Sequence, residues 1–241
     1  MTFWDHLDAL RATLIRMIVA AFVMAIGVFC MKDWLFQLVL WPLHDDFPVY
    51  RLVGADPFTL QLVNTELTEQ FMIHMKVALM AGALVASPYL LYVLFHFVSP
   101  ALYENERRVS VRLVAAAYGV FIIGLAVNYL LIFPLTVHFL GTYRVSEEVV
   151  PMLTLSNYVD TLLMMSLAFG LVFELPVISW LLGRFGMLKA EWMRRYRRHA
   201  VVAILIVAAI ITPTTDLLTL TIVALPIWLL YEASIWIVRI C

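Results

Sequence analysis

A chain of 241 residues that is 64% hydrophobic and only 14% charged, with a mean hydropathy of +0.95, is no soluble globular protein, because such domains hold roughly 45–50% apolar residues. The composition is that of a polytopic membrane protein, expected as an all-α single integral membrane domain over 1–241. The net charge of -1 carries little, because charges are segregated along the chain. Cys30 and Cys241 give neither a disulfide framework nor a metal spacing.

Residues 2–13 come before any apolar run. Thr2 is expected as an N-cap, with Phe3, Leu7, Leu10 and Leu14 on one side of an amphipathic helix lying along the membrane surface. The first span is 14–31, close to the roughly 20 residues a bilayer requires. No small-residue cleavage site follows it, so it is expected to be retained. Residues 32–69 are rich in Asp, Pro and Trp, include Asp45, Asp46, Asp56, Glu66 and Glu69, and are expected to form a structured external cap.

The second span, 71–98, has Lys76 near its start and Pro88 in its middle, where a bend is expected. The third, 109–140, carries Asn128 and Pro134 near its far end, and a short acidic connection with Glu147 and Glu148 follows at 141–156. The fourth, 158–182, contains Glu174 and then Pro176. A basic loop at 183–199 sets Arg184, Lys189, Arg194, Arg195, Arg197 and Arg198 against Glu191, and anionic membrane lipids are an expected partner. Two short spans close the chain, 200–212 and 217–237. A helix from Arg198 to Asp216 would cover about 27 Å, less than the typical hydrocarbon thickness of about 30 Å, so local bilayer thinning is expected.

Arg11, Arg16, Arg107, Arg108, Arg112, the six cations of the 183–199 loop and Arg239 all fall on one side of this arrangement. Only Lys32, Arg51, Lys76 and Arg144 fall on the other. The positive-inside rule makes the basic side cytoplasmic. Six transmembrane helices with cytoplasmic N and C termini satisfy the count.

No phosphate-binding G-x-x-x-x-G-K-[ST], H-E-x-x-H or G-x-S-x-G occurs, and His6, His44, His74, His96, His138 and His199 are scattered singly. Neither metal nor cofactor is expected, and the chain reads as no enzyme. Binding and transport remain. At 96–108, Asn105 is placed to cap the third span, with Glu106 in its first turn facing the helix dipole. Alternatively, Glu106 with Phe97 offers an anion and an apolar surface to a basic peptide, a site suited to the planar fork of arginine. A carboxylate inside a span costs at least about 2.5–3.5 kcal/mol and faces a cavity or partner. Glu174 is therefore a polar anchor, a protonated carboxyl or a relay group, whereas Glu232 reads as an interfacial carboxylate.

Several motifs then resemble one family nearly end to end: His6-Leu7-Asp8-Ala9-Leu10-Arg11; Ser87-Pro88; Phe97-x-x-Pro100-Ala101-Leu102-Tyr103-x-x-Glu106-Arg107-Arg108; Phe133-Pro134-Leu135. Ala168-Phe169-Gly170-x-x-Phe173-Glu174-x-Pro176, Thr212-Pro213 with Asp216, Ala224-x-Pro226 and Leu229-Leu230-Tyr231-Glu232 complete the set. The chain resembles the C subunit of the twin-arginine protein translocase, the TatC family. The resemblance implies a receptor in the bacterial cytoplasmic membrane that works with single-span TatA/TatB-type subunits, as an oligomer, to export folded proteins on the proton-motive force. It implies that Glu106 binds the paired arginines of the signal peptide, with Phe97, Tyr103 and Arg107 at the same site. Glu174 would lie in a concave intramembrane face, and Thr212, Pro213 and Asp216 would contact the partner subunits.

Two positions depart from the family pattern. His-Leu-x-Glu-Leu-Arg is usual, but Ala9 stands where the glutamate would share the arginine site, so Asp5 or Asp8 is expected to supply the charge. A glutamine usual near the start of the sixth span is Leu220. The competing readings are a proton-coupled small-solute secondary transporter built on Glu174, although the two halves show no repeat, and a membrane scaffold without cargo.

Overall fold

The computed structural model describes residues 3–44, 46–54, 60–98, 107–143, 152–212 and 216–240. Nearly all of them are helical, and contacts group the chain into two compact units, Met1–Val39 with Glu66–Gly119 and Leu40–Thr65 with Val120–Cys241. Among the described residues, five helical stretches are long and apolar enough to cross a membrane: Leu7–Phe29, Glu69–Leu94, Val114–Thr142, Leu155–Arg184 and Leu217–Ile240.

In the first unit, helix α1 runs unbroken from Phe3 to Phe29. This corrects the expectation of a separate surface helix before the first span. No Pro or Gly interrupts residues 3–26, so nothing stops the spanning helix from extending back through the lead-in. The chain turns at Cys30 and Met31 into α2 (Lys32–Leu40). Helix α4 (Glu69–Val98) continues through Pro88. Proline cannot donate to the Leu84 carbonyl four residues back, and the Ser87 hydroxyl donates to that carbonyl instead, at 2.6 Å. Ser87 and Pro88 therefore act as a pair. Glu69, expected in the external cap, is the buried first residue of α4, and its carboxylate accepts the Glu66 N–H at 3.2 Å.

Helix α5 (Arg107–Val127) belongs to the first unit as far as Gly119. In the second unit its remainder passes into a π-helical turn, Asn128–Ile132, and then α6 (Phe133–Thr142). The second unit also holds part of the 32–69 connection. A 3-10 turn at Trp41–Leu43 leads to α3 (Pro48–Val53), ended by Gly54 at φ 65, and Phe47, Val49 and Tyr50 form a buried cluster against Tyr129 and Leu135. The Tyr50 hydroxyl reaches the carbonyls of Pro42 at 2.6 Å and Pro134 at 3.2 Å, and burial pushes its pKa up, so it stays a neutral donor.

A parallel pair of two-residue strands, β1 (Leu62–Val63) and β2 (Leu153–Thr154), joins the cap to the second connection. No such pairing was legible in the apolar pattern. Thr154 then caps α7 (Leu155–Phe173) by accepting the Asn157 N–H at 3.2 Å. Helices α8 (Leu175–Arg184), α9 (Ala190–Arg195), α10 (Arg197–Ile211) and α11 (Leu217–Ile240) follow. Of the two C-terminal helices expected to be short, only α10 is, at 15 residues or about 22 Å. With 24 residues α11 is about 36 Å long, because Arg239 stands inside its last turn and does not end it.

Candidate functional site

Helices α1 and α4 pack antiparallel within the first unit. Gly82 faces Ala25, and farther along Phe29 stacks on His74 with ring centroids 4.0 Å apart. From Ala25 back to Asp8 is about 25 Å of helix, and from Gly82 on to Phe97 about 23 Å. The start of α1 thus lies level with the end of α4. Ala9, Leu10, Thr13, Met17, Ala20 and Ala21 are partly covered and lead to buried Ala25, so Ala9 belongs to the stripe turned inward, while Asp8 is exposed. Asp5 precedes Ala9 by four residues, one helical turn.

Phe97 is partly buried one residue before the end of α4, and Arg107 opens α5. Tyr103 and Glu106 lie outside the described residues, as do Asn105, Thr2 and the acidic residues Asp45, Asp56, Glu147 and Glu148. Of the residues expected at one arginine-binding site, the α1–α4 register brings Asp5, Asp8 and Phe97 to one end of the first unit.

Glu174 stands in the second unit at the break between α7 and α8. Its N–H turns back to the Leu171 carbonyl at 3.1 Å, its carbonyl accepts the Ile178 N–H at 2.9 Å, and Pro176 occupies the first turn of α8. The residue is half-buried, and its Oε1 is shut from solvent with no hydrogen-bond partner among the described residues. About 15 Å of helix separates it from Arg184, which sets it near mid-membrane depth. A carboxyl there can accept from a polar group brought to it, or hold a proton.

Thr212 and Asp216 have structural work at the helix ends they occupy. The buried Thr212 hydroxyl donates to the Ala208 carbonyl at 3.0 Å, and Asp216 caps α11 by accepting the Thr219 N–H and hydroxyl, both at 2.7 Å. Pro213 lies outside the described residues. This cap was not among the expectations from sequence, although the Asp-x-x-Thr spacing carries that signal. Glu232, read as a simple interfacial carboxylate, accepts a hydrogen bond from Arg197 at 2.6 Å.

Asn128 was noted in the sequence without a role. It is wholly buried in the π-helical turn, donates to the Ser166 hydroxyl at 3.0 Å, and leaves its Oδ1 without a partner among the described residues. An asparagine in a span with no proline beside it was the only signal.

Comparison with known proteins settles the family. Residues 5–226 match the family model described as Sec-independent protein translocase protein (TatC). The chain belongs to the TatC family. The Koribacter versatilis TatC is 35% identical over 98% of this chain and 84% of its own length, and the Aquifex aeolicus TatC is 30% identical over 98% and 94%. A crystal structure described as the twin arginine translocase receptor TatC is 29% identical and superposes with a TM-score of 0.82, covering 98% of both chains. The chain is a subunit of the Sec-independent protein translocase, integral to the bacterial inner membrane, and no enzyme. The solute-transporter alternative finds no support among these matches.

Proposed function

We propose that this TatC-family chain is the core receptor that binds twin-arginine signal peptides at its cytoplasmic face. With single-span TatA/TatB-type subunits, it exports folded proteins on the proton-motive force. The observation that carries the reading is the match along the whole chain to a solved protein described as a twin arginine translocase receptor. Glu106 takes the paired arginines, with Phe97 and Tyr103 supplying apolar surface, Arg107 beside them and Asp5 or Asp8 replacing the carboxylate absent at Ala9. The level of α1's start with α4's end supports one shared site. Thr212, Pro213 and Asp216 meet the partner subunits. Helix α10 makes a sixth, short crossing in a thinned bilayer, which leaves both termini cytoplasmic.

The test is export of a twin-arginine reporter by Glu106→Ala and Glu106→Lys, with membrane insertion checked on the same cells. A charge-assisted pair is worth about 1.5–3 kcal/mol, so signal-peptide affinity should fall roughly tenfold to a hundredfold in Glu106→Ala. Unchanged export in either variant, at normal protein level, overturns the assignment.

A further inference from the structure

We propose that the groove between the C-terminal ends of α8 and α11 is a binding site for one anionic phospholipid. Arg184 holds the headgroup phosphate there, and Trp180, Ile237 and Ile240 hold the upper acyl chains. The groove encloses about 370 Å³ and is lined by these four residues. Beside Arg184 the two helices approach closely because Gly183 has no side chain: a Cβ there would sit 3.2 Å from Val238 Cγ1.

Two features select the ligand class. The guanidinium of Arg184 lies 5.4 Å from the centre of the Trp180 ring, one helical turn away, which holds the cation over an aromatic face at the groove. Arg239 stands in the last turn of α11, and Arg194 and Arg195 end α9, whose Met193 packs with Ile235 and Val238 at this same end of α11. Each arginine in a last turn complements its helix dipole. That accounts for cations at these helix ends, and Arg184 is the one among them that lines the groove.

Toward the membrane interior α11 stays apolar and open, with Trp236 68% exposed. A soluble anion would use the cations and leave this surface uncovered. A two-chain phosphodiester lipid uses both, in the manner of basic pockets between spans on the cytoplasmic side. The inference rests on the charge distribution that puts this end at the cytoplasmic surface, and not on signal-peptide recognition, so its failure leaves that reading standing.

The probe is brominated phosphatidylglycerol in phosphatidylcholine vesicles. The protein keeps Trp180 and has the other tryptophans replaced by Phe, with native helicity verified by circular dichroism. Brominated phosphatidylglycerol should quench Trp180 at a much lower mole fraction than brominated phosphatidylcholine does. One basic side chain near the surface is worth about a fivefold change in lipid affinity, so Arg184→Gln should raise the midpoint about fivefold and Arg184→Lys less. In the otherwise unchanged chain, native mass spectrometry should show a phosphatidylglycerol adduct that Arg184→Gln loses. Equal midpoints for the two lipids, an unmoved midpoint or adduct in Arg184→Gln, or displacement of the lipid by inorganic phosphate would each overturn the proposal.

Discussion

Gly82 and Ala25 are in direct backbone contact: a Cβ on Gly82 would lie 2.7 Å from the Ala25 Cβ and nearer still to its backbone. This contact holds α1 and α4 in the register that sets Asp5 and Asp8 level with Phe97. Between helices in lipid, association depends on such close packing, because apolar burial alone gives little preference over the acyl chains.

Gly82→Val should therefore separate the helices. Overpacking of this kind costs roughly 1–3 kcal/mol, and the variant should unfold at lower temperature in detergent and export poorly. Gly119→Ala is the control, since a Cβ there meets nothing within 4 Å. Equal melting of both variants and the parent would mean that the close contact does not set the packing.

The stripe along α1 separates the two candidate replacements for the missing glutamate. Ala9 is turned inward and Asp8 is exposed, while Asp5 precedes Ala9 by four residues, one helical turn. Asp5→Ala should reduce twin-arginine peptide binding about tenfold, the value of one charge-assisted pair, and Asp8→Ala should leave it near the parent value. Ala9→Glu should rescue Asp5→Ala. Normal binding in the Asp5→Ala, Asp8→Ala double variant would show that Glu106 acts without a second carboxylate.

Ser87 offers a test independent of recognition. Its hydroxyl occupies the Leu84 carbonyl that Pro88 cannot serve, and hydrogen bonds within membrane helices are worth about 0.6 kcal/mol on average and up to about 1.7. Ser87→Ala should lower stability by about that amount, and Ser87→Ala with Pro88→Ala should recover it, because the alanine N–H restores the ladder. Thermal unfolding of the purified variants measures both changes.

Asp216 separates capping from partner contact. Asn caps helices about as well as Asp, while Ala costs about 0.5–2 kcal/mol. If the cap is its whole contribution, Asp216→Asn should match the parent in stability and export while Asp216→Ala lowers both. A partner contact that needs the charge would instead show as normal stability and lost export in Asp216→Asn, read by co-purification of the single-span subunits.

Long apolar helices were legible because a bilayer demands long apolar runs, and five such stretches stand among the described residues. The last span, expected to end at 237, runs on to Ile240 with Arg239 in its last turn, where a cation is favourable. The polar lead-in looked like a surface helix, yet nothing in residues 3–26 breaks the spanning one. The β1–β2 pair and the Asn128–Ser166 bond were not legible, since both join residues far apart in sequence through contacts that no local periodicity encodes. Glu174 stands out in the sequence because a carboxylate in a membrane is costly. Its neighbours, which decide what it does, are a matter of tertiary packing.

That residue supports the last prediction. Glu174 Oε1 is shut from solvent and unpartnered among the described residues, at a helix break near mid-membrane depth. If it serves as a polar anchor in a cavity, Gln keeps the hydrogen-bonding capacity and Leu removes it. Glu174→Gln should then retain most export while Glu174→Leu loses most of it, with both variants inserted at parental levels. If the carboxyl must carry or release a proton, Gln fails as completely as Leu, because an amide cannot ionise. Export rates of a twin-arginine reporter across the two variants, at one fixed proton-motive force, separate these mechanisms.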